Sequence, residues 1–188
     1  MNIPNVPKPQ TPAFTDIIIG QVQDVLKIKL SWLDYSFGRA QKLTKLIGQQ
    51  KRIYPGVHLG AGEYLDVFPT DRFKNFSFFI LEDPQRIEFT PHRNNKIRAK
   101  YALIFWVNLD EIFAGDVDRN TEAIKAQIIK VLTRETFLNS GRISVEAVYE
   151  HAENIYKGFS IKEVDSQFLM QPFAGFRFEG ELTFTEPC

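Results

Sequence analysis

The side chains of this 188-residue chain that could do chemistry are few and scattered. Histidine occurs at positions 58, 92 and 151, and none has a partner at metal-ligand spacing. His151 stands among Glu146, Glu150 and Glu153, but Glu150 is adjacent to it rather than one turn away, so the group reads as the exposed face of a helix. His58 precedes Glu63 and Asp66 in a glycine-rich stretch, and without a second histidine it makes a poor cation site. Gly56, Gly60 and Gly62 lack the Gly-Lys-Ser/Thr ending of a phosphate loop and fail the dinucleotide spacing; they read as a loop with turn glycines. No Gly-x-Ser-x-Gly elbow occurs. The sole cysteine, Cys188, lies at the last position, where a frayed end does not hold a nucleophile in place. Asp110 and Glu111 are neighbours at the end of an apolar run; on a strand they point to opposite faces and do not converge on one substrate. The expectation is a non-enzymatic protein with no catalytic, metal-binding or cofactor-binding residues.

Two basic runs remain. Arg39, Lys42, Lys45, Lys51 and Arg52 occur with no acid between them. Lys96, Arg98 and Lys100 alternate, so on a strand they share one face. Such rows suit phosphates or another subunit. The formal net charge of zero and the lack of a nucleic-acid motif favour the subunit contact, with a nucleic-acid- or protein-binding module as the alternative. That zero conceals an asymmetry: residues 1–100 hold 15 Lys+Arg against 9 Asp+Glu, and residues 101–188 hold 8 against 14. The two halves either neutralise each other on folding or form a basic side and an acidic side. A body of the second kind packs head to tail with its copies, and heterologous contacts that close make rings.

The elements that must carry these residues follow from periodicity. Met1 to Thr11, with Pro4, Pro7 and Pro9, reads as an arm, and residues 12–188 as one domain. Thr11-Pro12 reads as a helix start, and Phe14, Ile17, Ile18, Val22, Val25 and Leu26 form one apolar stripe ending near Lys29. Between Leu30 and Gln50 the pattern allows a short strand or loop at Trp32–Phe37 and a short helix at Ala40–Ile47. Arg52 to His58 reads as a strand interrupted by Pro55-Gly56, and Phe76 to Leu81 as an apolar strand. Glu82-Asp83-Pro84 is turn chemistry, so Arg86 to Phe89 reads as the return strand of a hairpin.

Lys96 to Leu109 is the central strand; its second half, from Tyr101, is apolar on both faces and needs cover on both. Asp116 and Asp118 lead into a helix with the stripe Ile124, Ile128, Val131 and Leu132. Ser144 reads as the cap of a second helix carrying Val145, Val148, Tyr149 and Ile155 and stopped by Gly158. Phe159 to Val164 reads as a short strand. Phe176, Phe178, Leu182 and Phe184 alternate with Arg177, Glu179, Glu181 and Thr183 in a strand with its apolar face in and its charged face out. Gly180 falls on the apolar face and marks a bulge or a close contact. The candidate contact residues are therefore Lys96, Arg98, Lys100, Arg177, Glu179 and Glu181. The fold class is α+β, a mainly antiparallel sheet with helices packed on one face, in a single domain.

A chain of this length buries roughly 70% of its unfolded surface and needs no disulfide or metal to fold. Seventeen phenylalanines predict a Phe-rich core. One cysteine fits a reducing compartment. Met1 to Pro12 holds no apolar h-region, and the longest uncharged stretch, Ser166 to Phe176, is far shorter than the ~20 residues of a membrane span; a cytoplasmic location away from membranes is expected.

The closing stretch Gln171-Pro172-Phe173-Ala174-Gly175-Phe176-Arg177-Phe178-Glu179 resembles the closing strand of the small tail-completion or tail-terminator proteins of tailed bacteriophages and prophages. The order of elements resembles theirs over most of the chain, apart from a longer Leu30 to Phe76 region. The resemblance implies a ring-forming α+β subunit, often a hexamer, that caps the tail tube and meets the head connector. It implies cytoplasmic assembly followed by residence in the virion. It carries over no catalytic residue.

Overall fold

The fold is organised by Lys96–Asn108, the strand β5. Its first half alternates: Ile97 and Ala99 are buried, whereas Lys96, Arg98 and Lys100 are half-buried or exposed. From Tyr101 to Val107 every side chain is buried, so this half is covered on both faces, as its composition requires. The computed structural model that shows this describes residues 8–60, 62–88, 95–114, 120–136, 138–139, 141–161, 164 and 166–185.

The elements follow in the order α1 (Thr15–Lys29), β1 (Tyr35–Ile47), β2 (Gln50–Gly60), β3 (Glu63–Asp66), β4 (Phe76–Glu88), β5, α2 (Leu109–Ile112), α3 (Thr121–Lys130) and a π turn (Val131–Glu135). Then come β6 (Gly141–Ile143), β7 (Ala147–Tyr149), α4 (Ala152–Ile155), a 3-10 turn (Ser166–Leu169) and β8 (Phe173–Thr185). They form one sheet ordered β3-β2-β1-β4-β5-β8-β6, with β7 also paired to β8. All pairings are antiparallel except β1 with β4. The protein is thus α+β with a mainly antiparallel sheet. No helix among the described residues is long and apolar enough to cross a membrane.

Two cores flank the central strands. On one face, Ile18, Val22 and Leu26 of α1 and Ile124 and Ile128 of α3 pack on Tyr101, Leu103 and Phe105 of β5 and on Phe176, Phe178, Leu182 and Phe184 of β8. The stripe expected of α3 and the inward set of the closing strand are buried; of the stripe expected of α1, Ile18, Val22 and Leu26 are buried, Ile17 and Val25 half-buried and Phe14 exposed. On the other face, Phe76, Phe78, Ala102, Ile104 and Trp106 meet Phe37, Val57 and Leu65 from the β1–β3 ribbon and Phe68 and Phe73 from the connection to β4, with Ile155, Tyr156 and Phe168 from the crossover between β7 and β8. The longer helices therefore lie on one face, and strands and short turns close the other. The phenylalanines do build the core; Phe37, Phe73 and Phe76 meet edge to face at 5.3–6.1 Å between centroids.

Several sequence expectations are corrected. The first helix starts at Thr15, with Phe14 at its N-cap, and not at Thr11-Pro12. Ala40–Ile47 is strand, because it pairs along its whole length with β2; that ladder also carries β2 unbroken across Pro55-Gly56, so Gly56 is not in a loop. Gly60 and Gly62 do hold a turn, at positive φ between β2 and β3. Glu82-Asp83-Pro84 is no hairpin turn: β4 runs through it with a bulge, and its partner for the whole length is β5. Phe89, His92 and the rest of that connection, with Asp116 and Asp118, lie outside the described residues.

Ser144 caps no helix. Its N–H and that of Glu146 donate to Glu181 and Glu179 of β8 at 2.9 and 2.8 Å, and β6 and β7 form on that edge. The unpaired edge of β8 outweighs local helix propensity here. Only one turn, α4, remains of the expected helix. The described residues of the stretch from Phe159 to Val164 form no strand; they are crossover, tied to β2 by the Ser160 N–H donating to the Ile53 carbonyl at 2.8 Å.

Gly180 marks the close contact expected of it: a Cβ there would sit 1.9 Å from the Ser144 carbonyl oxygen. Gly180→Ala should therefore cost about 1–3 kcal/mol, read as a lower urea midpoint with the slope unchanged. Tyr156 gives a second test. Burial pushes its pKa well above the ordinary value, and its hydroxyl finds no partner among the described residues. A raised folded-state pKa gives stability that is whole below the unfolded value of about 10 and is lost as pH rises through the folded value. Tyr156→Phe should stabilise the protein by about 1 kcal/mol at neutral pH and move its alkaline unfolding to higher pH.

Candidate functional site

The ladder registers bring the six candidate residues onto one surface. Lys100 lies opposite Glu181 of β8, and Arg98 opposite Thr183. On the other side Lys100 faces Glu82, Arg98 faces Arg86 and Lys96 faces Glu88. Directly opposed residues project from the same face. Three adjacent strands thus share a charged face made of Glu82, Arg86 and Glu88, then Lys96, Arg98 and Lys100, then Arg177, Glu179 and Glu181. It continues the second core, whose apolar cover ends near Ile80 and Ala102. Glu82, Arg86 and Glu88 were missed by the sequence reading, which gave Glu82 to a turn and Arg86 to a separate return strand. The acid–base alternation across the true β4–β5 pairing is the signal that finds them.

The positive row is largely compensated. Arg98 Nε lies 2.9 Å from Glu88 Oε1, and Arg98 Nη1 lies 3.6 Å from Glu181 Oε1. Lys96 lies 4.0 Å from Glu88. Lys100 is exposed. A row of cations interleaved with carboxylates presents phosphates with both signs, which weakens the nucleic-acid alternative.

Arg177 is the correction within the set. It was expected on the outward charged face, yet it is 1% exposed. Its Nε donates to Glu179 at 2.7 Å, its Nη2 to Glu82 at 2.8 Å and its Nη1 to the Ile155 carbonyl at 3.5 Å. Lys42 reaches Glu82 at 3.9 Å and lies 5.9 Å from the centre of the Phe159 ring. The reason for its burial is the crossover: α4 passes over β8 just where the apolar floor gives way to charge, and the planar guanidinium satisfies two carboxylates and a carbonyl at that seam. Arg177 is a structural pin and not a free contact.

The other candidates stay apart. His58 is exposed on β2, its ring 5.1 Å from that of Tyr64. Asp66 accepts from the Phe68 N–H at 3.0 Å and meets Lys45 at 3.5 Å. Glu111, in the short α2, meets Lys74, whose pKa is raised by that hydrogen bond. His151 precedes α4 and is exposed. Among the described residues no group of three or more His, Cys, Asp or Glu side chains is placed to hold a metal ion.

The charge asymmetry of the sequence is partly neutralised within the chain, through Lys29–Glu135 at 3.5 Å and Arg98–Glu181 at 3.6 Å, each a cation of the first half on a carboxylate of the second. Cations and carboxylates also gather in different places. The β1–β2 hairpin on one side of the central strands carries Lys42, Lys45, Lys51 and Arg52. On the far side, β7 and its flanks carry Glu146, Glu150 and Glu153. There Lys125 bridges Glu122 and Glu150; burial works against its charged form, but the two carboxylates outweigh it and its pKa is raised.

Arg177→Ala should cost about 3 kcal/mol, since it strands two carboxylates at the seam, whereas Lys100→Gln should stay within about 0.5 kcal/mol of the parent; urea unfolding distinguishes them. No protein-family model matches this chain, and no curated protein matches it.

Proposed function

We propose that the chain is a structural assembly subunit of a phage or prophage tail, a ring-forming protein of the tail-terminator or head–tail joining type. One observation supports the reading above the others: the candidate residues other than the buried Arg177 lie, half-buried or exposed, on one charged strand face and not in a cleft in which side chains converge on a substrate. Such a face suits docking against protein, where ordered charges set register and exclude wrong partners. The resemblance of the closing strand, β8, supports the same class. The partners are then copies of the chain, a tail-tube protein and a head-connector protein, with assembly in the cytoplasm and final residence in the virion.

The alternative, a binding module using Lys96, Arg98 and Lys100 on nucleic acid, is less favoured because Glu88 and Glu181 already engage that row. Light scattering coupled to size exclusion, with negative-stain microscopy, should reveal a closed ring of fixed copy number. A strict monomer at the highest attainable concentration, together with salt-dependent DNA binding abolished by changing the three cations to Gln, would replace this reading with the alternative.

A further inference from the structure

Two surfaces on opposite sides of the β4–β5–β8 ladder carry mirrored patterns. The first is the tip of the β1–β2 hairpin. β1 leaves β4 after Arg39; β3 then holds β2 as far as Gly56 and Ser160 holds it at Ile53, and the tip beyond is held by the hairpin's own ladder. No acid occurs between Asp34 and Glu63. At the tip, Leu46 and Ile47 are 75% and 45% exposed, with Lys45 before them and Lys51 and Arg52 across the turn. A two-stranded ribbon wet on both faces is marginal in water, and an aliphatic pair at its tip gains by burial.

The second surface is β7. Ala147, Val148 and Tyr149 are half-buried, between exposed Glu146 and exposed Glu150. Among the described residues β7 pairs only with β8, so its outer edge is open. Glu153 is exposed close by, and Lys125 is shared between Glu122 and Glu150. An aliphatic tip flanked by cations faces one way; an apolar strip flanked by carboxylates faces the other.

We infer that, within the assembly proposed above and resting on it, the β1–β2 hairpin tip of one copy docks on the β7 edge of a second copy. Leu46 and Ile47 lie on the Ala147–Tyr149 strip, and Lys51 meets Glu146. The contact joins two different surfaces, so each copy gives a hairpin and receives one, and closure of that series makes a ring. A two-fold pairing of hairpins would instead set cations against cations.

The test is a charge swap followed by light scattering on the full chain. Lys51→Glu and Glu146→Lys change exposed side chains outside the Arg177 pin, and unchanged urea midpoints would show both variants folded. Each alone should raise the concentration of half-dissociation about tenfold or more, and the double variant Lys51→Glu/Glu146→Lys should restore it, since every contact then carries swapped charges. Leu46→Ser should weaken association without altering its salt dependence. If the parent forms a ring that both charge variants and Leu46→Ser leave intact, this contact is wrong while the assembly reading stands. If the parent is monomeric at every concentration and salt, both fall. If Lys51→Glu spares association but abolishes binding to a short DNA duplex, the hairpin is a nucleic-acid arm and the inference is overturned.

Discussion

The constraint on which the structure depends is the double burial of β5 from Tyr101 to Val107. A strand with seven successive buried side chains needs an apolar layer on each side, and this chain makes the two layers by different means. Regular helices, α1 and α3, supply the first. The second comes from a ribbon folded back from β1 and from an irregular crossover that contributes Ile155, Tyr156 and Phe168. Aromatic rings suit such a layer, because a few large side chains fill the space that a missing helix would occupy.

The second layer covers only part of its face. Beyond Ala102 the same strand surface becomes charged, and Arg177 sits at the change. Burying a guanidinium is costly unless its donors are met, and here Glu82, Glu179 and the Ile155 carbonyl meet them. The pin joins β4, β8 and the crossover, so the edge of the core and the start of the exposed charged face are set by one side chain. The face is therefore carried by strands and not by loops, which holds its charges in a fixed register.

Separation of charge gives the molecule a direction. Ion pairs such as Lys29–Glu135 and Arg98–Glu181 cancel part of the imbalance between the halves of the chain. What is left lies on the hairpin at one side and around β7 at the other. A body with unlike sides associates through unlike surfaces, and that is the geometry of rings and of tubes.

Sequence alone determined those features that depend on one segment at a time. The stripes of α1 and α3, the two-sided burial of β5, the inward set Phe176, Phe178, Leu182 and Phe184 and the tight contact at Gly180 all follow from period and composition, because each records which side of one element faces the core. Tertiary structure decided what depends on pairing between distant segments. Ala40–Ile47, Gly141–Ile143 and Ala147–Tyr149 became strands because β2 and β8 offered hydrogen-bonding edges to them. Glu82 and Arg86 joined the charged face because β4 continued through its bulge. Arg177 was buried because α4 crossed over it. Local periodicity holds no record of such partners: a backbone edge offers the same N–H and C=O groups whatever residues line it, so the choice among them is made only when the chain has folded.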